Sequence, residues 1–196
     1  SSIRGGAIVA FRIEGVSHEF TTVKGVQEDV VDITLNLKGV NFAVHTDEPV
    51  ELRLEKKGAG PVVAGDIKTN ADVEVINPEH VICTVDDPKT SVLIDLVVEA
   101  GRGYQTIEES SKKRLHSDMI AVDAMFSPVT RVRFKVDPTR VGQETNLDRL
   151  DLTVETDGSL SPREAFEEAA AILVNQYTAL AGATTVESAP ALGTEE

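Results

Sequence analysis

The chain has 196 residues, 41% hydrophobic and 27% charged, a globular composition long enough for one large domain or two small ones. With 19 basic against 33 acidic residues and a net charge of −14, it lacks the Lys and Arg needed to neutralise a nucleic-acid backbone, which argues against direct DNA or RNA binding. The single Cys83 excludes an internal disulfide and a multi-cysteine metal centre, and no apolar run approaches the roughly 18 residues of a membrane span.

The opening "SSIRGGAIVAF" lacks the basic region and apolar core of a secretory signal. It also starts without Met in sequence that reads as folded, so a fragment of a longer cytoplasmic protein is expected. "AIVAFRIEG" (7–15) reads as a strand running into a turn. "KGVQEDVVDITLNLKG" (24–39) reads as an amphipathic helix over 26–37. At about 100° per residue, Val26, Val30, Ile33 and Leu37 form one narrow core stripe. Val31 and Leu35 fall on nearly the opposite side, beside Gln27 and Lys38. A helix at a domain surface normally turns a polar back to water, so this second apolar side belongs either to a second core layer or to a partner.

Two further strands are expected at 40–46 and 50–57, punctuated by Pro49 and Gly58. "GAGPVVAGDI" (58–67), rich in Gly and Pro, reads as loop. "VEVINPEHVICTV" (73–85) gives two short strands around Asn77-Pro78, and "SVLIDLVVEAGRGY" (91–104) is the strongest strand pattern in the chain. "QTIEESSKKRLHSD" (105–118) is polar and aperiodic, hence a loop. Strand returns over 119–137, divided by Pro128, and again over 147–158. Ser161-Pro162-Arg163-Glu164 is a capping box with Pro at the first helical position. The helix it opens repeats Phe166, Leu173, Tyr177 and Leu180 on one side for about five turns. Beyond Gly182, "ATTVESAPALGTEE" has the composition of a flexible linker. The fold class is α+β, a β-rich body with one internal helix and a long C-terminal helix.

Chemistry-bearing motifs are few. His80 and Cys83 share a strand with Val81 and Ile82, where core packing explains Cys83 better than a metal does. Gly58-Ala59-Gly60-Pro61 lacks the Gly-Lys-Ser/Thr of a phosphate loop. Gly101-Arg102-Gly103 reads as a strand-ending turn rather than an anion nest. Neither a Gly-x-Ser-x-Gly elbow nor a His-Glu-x-x-His pair occurs, and the acidic pairs Glu28-Asp29 and Asp86-Asp87 need only solvation. No cofactor, metal or catalytic residue is expected, and a hydrolase would need a nucleophile and base that cannot be named.

Several blocks together resemble the alpha subunit of bacterial RNA polymerase. They are "HEFTTVKGVQEDVVDITLNLKGV" (18–40), "PEHVICTV" (78–85), "GRGY" (101–104), "VDAMFSPVTRV" (122–132), "RVGQETNLDRL" (140–150) and "TDGSLSPREAFEEAAAIL" (156–173). The resemblance covers nearly all of residues 2–181, in the family's order. It implies a β-rich insert subdomain over 5–128 that faces the large polymerase subunits. It also implies a small dimerisation subdomain from 1–4 and 129–181, then a linker over 182–196 leading to a separate DNA-contacting domain. Members form a homodimer on which the beta and then the beta-prime subunit assemble; the alpha subunit performs no nucleotidyl transfer itself.

By the same resemblance, His18, Glu19, Phe20, Gly25, Val26, Gln27 and Glu28 match the beta-contacting motif, with Val31 and Leu35 on the helix behind it. Lys38, Val122, Val129 and Arg149 match positions associated with beta-prime contact, and Phe166, Leu173, Tyr177 and Leu180 lie on the dimer helix. Three departures stand out. The family's first dimerisation helix, with an "LGNALRR"-like motif, would precede Ser1; the C-terminal DNA-binding domain is missing; and 105–118 differs from the acidic loop some members offer to activators. Archaeal relatives can hold an iron–sulfur cluster on several cysteines, which one Cys cannot. The competing expectation is a stand-alone adaptor built on the same fold. The location implied is the cytoplasm, or a plastid.

Overall fold

The computed structural model describes residues 2–112, 118–182 and 184. Its elements are β1 (Arg4–Ile13), α1 (Val30–Lys38), β2 (Phe42–Val44), β3 (Val50–Lys57), β4 (Gly60–Val63), a 3-10 turn (Ala64–Asp66), β5 (Ile67–Lys68), β6 (Val73–Val75) and β7 (Val81–Val85). There follow β8 (Ser91–Arg102), β9 (Tyr104–Gln105), α2 (Ile107–Lys112), β10 (Ile120–Ala121), β11 (Ala124–Met125), β12 (Val129–Val141), β13 (Glu144–Thr156) and α3 (Pro162–Ala181). The α+β class read from the sequence is the one observed.

An antiparallel sheet in the order β5-β3-β8-β1-β2-β6 forms the body, and β10 shares the β2 side of β1. β8 lies between β3 and β1, and strict alternation sorts its residues. Ile94, Leu96 and Val98 enter the main core, while Asp95 and Val97 face the other way. That main core also holds Phe11, Phe42, Leu54 and Ile82, together with Val30, Ile33 and Leu37 of α1. On the opposite face Val9, Val97, Met119 and Phe126 make a smaller cluster. Asp95 stands between Arg12 on β1 and Arg53 on β3, each directly across from it. Its oxygens accept from Arg12 Nη2 at 2.6 Å and Arg53 Nε at 2.8 Å.

Phe126 fixes the passage from the body to the last hairpin. Gly5 and Gly101 are paired across β1 and β8. A Cβ at Gly101 would lie 2.8 Å from the Phe126 ring, and one at Gly5 would lie 1.7 Å from its carbonyl oxygen. A glycine pair is therefore the seat of the aromatic residue, which is why "GRG" ends β8; close approach explains Gly101.

Beyond that seat, β12 and β13 form a two-stranded antiparallel hairpin closed at Gly142, whose φ of 59° suits a residue without Cβ. Arg131, Lys135 and Asp137 alternate on one face with Glu155, Asp151 and Arg149 opposite. The other face carries the cross-strand pairs Phe134–Leu152 and Val136–Leu150. α3 then starts at a capping box: Ser161 Oγ accepts from Glu164 N at 3.2 Å, and the Glu164 carboxylate accepts from Ser161 N at 3.0 Å.

Four expectations need correction. The 58–67 stretch holds β4 and the 3-10 turn, because Val62 and Ala64 are buried and β7 offers a pairing edge. The 105–118 stretch contains α2, seated by buried Ser110, whose Oγ accepts from Gln105 Nε2 at 3.0 Å; residues 113–117 lie outside the described set. The first helix begins at Val30, since Val26 and Gln27 pair with β7 instead. The last two strands are longer than expected, running through Val141 and from Glu144. The linker read over 182–196 lies outside the described residues except for 182 and 184.

Candidate functional site

Helix α1 is built to be held from behind. Asp29, extended at φ −79° and ψ 175°, caps it by accepting from Asp32 N at 2.8 Å. Val30, Ile33 and Leu37 are buried, whereas Val31 is 44% and Leu35 61% exposed. The i, i+4 pair thus forms an apolar stripe on the outside of the body. Val26 is half-buried against the main core and bridges Val85 from outside the helix.

Both ends of α1 are tied to β7. Before the helix, Asp86 N donates to Gly25 O at 2.9 Å and Gln27 N to Thr84 O at 3.0 Å. The Gln27 amide donates to Asp86 Oδ1 at 2.5 Å, and Glu28 Oε2 accepts from Thr84 N at 2.7 Å. At the far end Asn36 Nδ2 donates to Ile82 O at 2.9 Å, and His80 Nε2 lies 2.8 Å from Asn36 O. Asn77 completes the exit, donating to Gly39 O at 2.9 Å and accepting from Asn41 N at 2.8 Å. His80 and Cys83, the weak metal pair, are thereby occupied otherwise. Cys83 is buried, and burial, with the Glu28 carboxylate nearby, pushes its thiol up to about 12. Among the described residues, no three His, Cys, Asp or Glu side chains converge as metal ligands.

His18, Glu19 and Phe20 lie on an exposed loop, and Phe20 is 78% exposed. With Ile107 of α2 and Met119 and Ile120 they line an open groove of about 510 Å³. The wall supplied by α2 is a feature the sequence reading passed over, because a six-residue polar helix carries no period.

The four residues matched to beta-prime contact do not form one cluster. Lys38 Nζ pairs with Asp123 Oδ1 at 2.7 Å, and Tyr104 OH donates to Asp123 Oδ2 at 3.1 Å. The Lys38 bond, joined by that from Tyr104 and opposed by partial burial, holds the Asp123 carboxyl below its ordinary range. Lys38 and Asp123 line a cavity of about 190 Å³ with Ser127 and Thr130, next to half-buried Val129. Val122 is only 3% exposed and belongs to the main core, so its side chain is not on the surface of this chain. Arg149, opposite Asp137, is eight residues along the hairpin from Val129, about 26 Å away at strand spacing.

On α3, Phe166, Leu173, Tyr177 and Leu180 are all exposed, Leu180 at 82%, while Ala165 is buried. Phe166 shares a shallow groove with Leu150, Leu152 and Val154 of β13. The apolar hairpin face, including Phe134 at 74% exposure, therefore continues the apolar side of α3. Period-2 alternation in "VRFKV" signalled the strand, but not that its apolar side faces outward.

The model of the RNA polymerase Rpb3/RpoA insert domain matches residues 9–127, well over half of the chain. The chain belongs to this family. The insert-domain match runs from the middle of β1 to the residue before Pro128, and takes in α1, its β7 clamp, Gly101 and Phe126. The DNA-directed RNA polymerase subunit alpha of Moorella thermoacetica is 45% identical over 184 residues, 94% of this chain and 58% of that protein. The subunit of the same name from Rhodopirellula baltica is 47% identical over 173 residues, 88% of this chain and 52% of that protein. This insert-domain chain thus spans about half the length of the curated relatives it matches. Among its described residues no helix is long and apolar enough to cross a membrane.

Proposed function

We propose that the chain is the assembly part of an RNA polymerase alpha subunit, a scaffold with no catalytic residues of its own. It works in the cytoplasm without touching DNA directly. The observation that carries this is α1, which buries Val30, Ile33 and Leu37 yet leaves Val31 and Leu35 exposed within a family-matching segment. Large obligate interfaces bury about 2,000 Å² or more and are unusually apolar, which suits an outward Val–Leu stripe. In this reading His18, Glu19, Phe20, Gly25, Val26, Gln27, Val31 and Leu35 meet the beta subunit, and Glu28 belongs to the same segment. Lys38, Val129 and Arg149 meet beta-prime, with Val122 supporting them from the core. Residues 5–128 then act as the insert subdomain. Residues 1–4 and 129–181 act as part of a dimerisation subdomain, in which α3 and the apolar hairpin face meet a second alpha subunit. Residues 182–196 lead on toward the rest of the subunit.

The test is binding of purified beta subunit to the full-length chain and to its Val31→Asp/Leu35→Asp variant. Two charges in an apolar interface should weaken binding at least a hundredfold. Undiminished binding would sink the assignment of this face.

A further inference from the structure

We infer that Glu28 is a positioning residue for the α1 surface and not itself a point of contact with the large subunit, an inference that rests on the assembly reading above. Segment 25–28 runs antiparallel along the edge of β7 as a short ladder. Asp86 N donates to Gly25 O, Val26 bridges Val85, and Gln27 N donates to Thr84 O. The next rung needs an acceptor for the Thr84 N–H, but by then the backbone is turning away into α1. The Glu28 carboxylate fills that rung, with Oε2 accepting from Thr84 N at 2.7 Å. Asp29, its neighbour, performs the separate task of capping the helix by accepting from Asp32 N. One acidic residue finishes a strand ladder and the next starts a helix.

The consequence is orientational. Val31 and Leu35 point outward only while Val30, Ile33 and Leu37 are seated, and α1 is pinned to β7 at each end. Without the Glu28 rung the far end keeps its Asn36–Ile82 bond, while the near end keeps the Gly25 and Gln27 bonds but loses the tie to β7 nearest the helix start. The correctly phased helix then becomes a fraction of the population, and the apparent dissociation constant rises by the inverse of that fraction. What this role requires is an acceptor oxygen, not a negative charge. Glutamine supplies such an oxygen at the same reach, and alanine does not.

The experiment titrates the full-length chain with purified beta subunit and follows amide exchange at Thr84. Glu28→Gln should bind within about twofold of the parent and keep Thr84 protected; Glu28→Ala should bind about tenfold more weakly, with faster Thr84 exchange. Two outcomes overturn the inference. One is Glu28→Gln losing as much affinity as Glu28→Ala while Thr84 stays protected, since the charge itself would then meet the partner. The other is Glu28→Ala binding like the parent. Val31→Asp/Leu35→Asp run alongside separates the two ideas. If that pair binds normally, the assembly reading falls and this inference with it. If the pair loses binding while the Glu28 variants depart from the pattern, only the positioning role falls.

Discussion

His80 Nε2 lies 2.8 Å from the carbonyl oxygen of Asn36, and a Cβ placed at Gly39 would sit 2.8 Å from the same ring. The ring occupies the space a side chain at 39 would need, and uses it to engage a last-turn carbonyl of α1 that also accepts from Gly39 N at 3.1 Å.

From this contact follows a non-additive pair. Gly39→Ala should cost on the order of 1–3 kcal/mol by overpacking. His80→Ala should cost about 1 kcal/mol for the lost hydrogen bond. The double variant should cost less than the sum, because removing the ring vacates the space the new methyl needs. Urea unfolding of the three proteins decides it, and strict additivity would mean that ring and methyl do not compete.

Phe126 on its glycine seat makes a harsher prediction. Gly5→Ala puts a methyl carbon where Phe126 O already stands, so the strand or the loop must move. A loss of about 3 kcal/mol is expected, with Phe126→Ala costing about 3–5 kcal/mol as the smaller cluster opens. Calorimetry should place both well below the parent in Tm. A Gly5→Ala protein melting with the parent would show that the seat is loose.

Asp95 sets an acid limit. Burial alone would raise its carboxyl, but the hydrogen bonds from Arg53 and Arg12 outweigh that and hold it below the ordinary carboxylate range. A depressed folded value means stability that is fully present above the unfolded value, about 3.9. That contribution is lost as pH falls below about 4 and through the folded value. Denaturant midpoints between pH 6 and pH 2.5 should therefore fall less steeply for Asp95→Asn than for the parent. Parallel slopes would remove Asp95 from the acid response.

The dimer assignment of α3 has its own measurement. Leu173→Glu/Tyr177→Glu in the full-length chain should shift the light-scattering mass from dimer to monomer. Helix content should stay the same, since the Ser161–Glu164 box that starts α3 is untouched. A mass unchanged by two charges would move the dimer contact elsewhere.

Local patterns announced themselves wherever one side of an element meets the core and the other meets water. β3 was legible at Val50–Lys57 because Val50, Leu52 and Leu54 alternate with exposed Glu51 and Arg53. α3 was legible from four residues, Ser161 to Glu164, whose bonds to one another need no distant partner. Elements that exist through distant partners were not. β4 forms because β7 offers it an edge, and α1 starts late because Val26, four residues before Val30, fits a helical stripe as well as a bridge to Val85. The site divides in the same way. The Val31–Leu35 stripe was visible as a period, while Glu28's bond to Thr84 spans 56 positions and leaves no local trace. Val122 was matched by motif alone, and it follows the two-residue β10 outside any strand, where no alternation says that it points inward.

The β12–β13 hairpin adds a consequence for how such a protein comes to exist. A two-stranded ribbon on its own is marginal in water, and this one has 13 residues in each strand with Phe134 bare on one side. Under the proposed dimer a second alpha subunit covers that side, and folding of this limb and recruitment of its neighbour become a single equilibrium. Melting of the limb should then rise with protein concentration, as it does wherever a subunit is completed only by company.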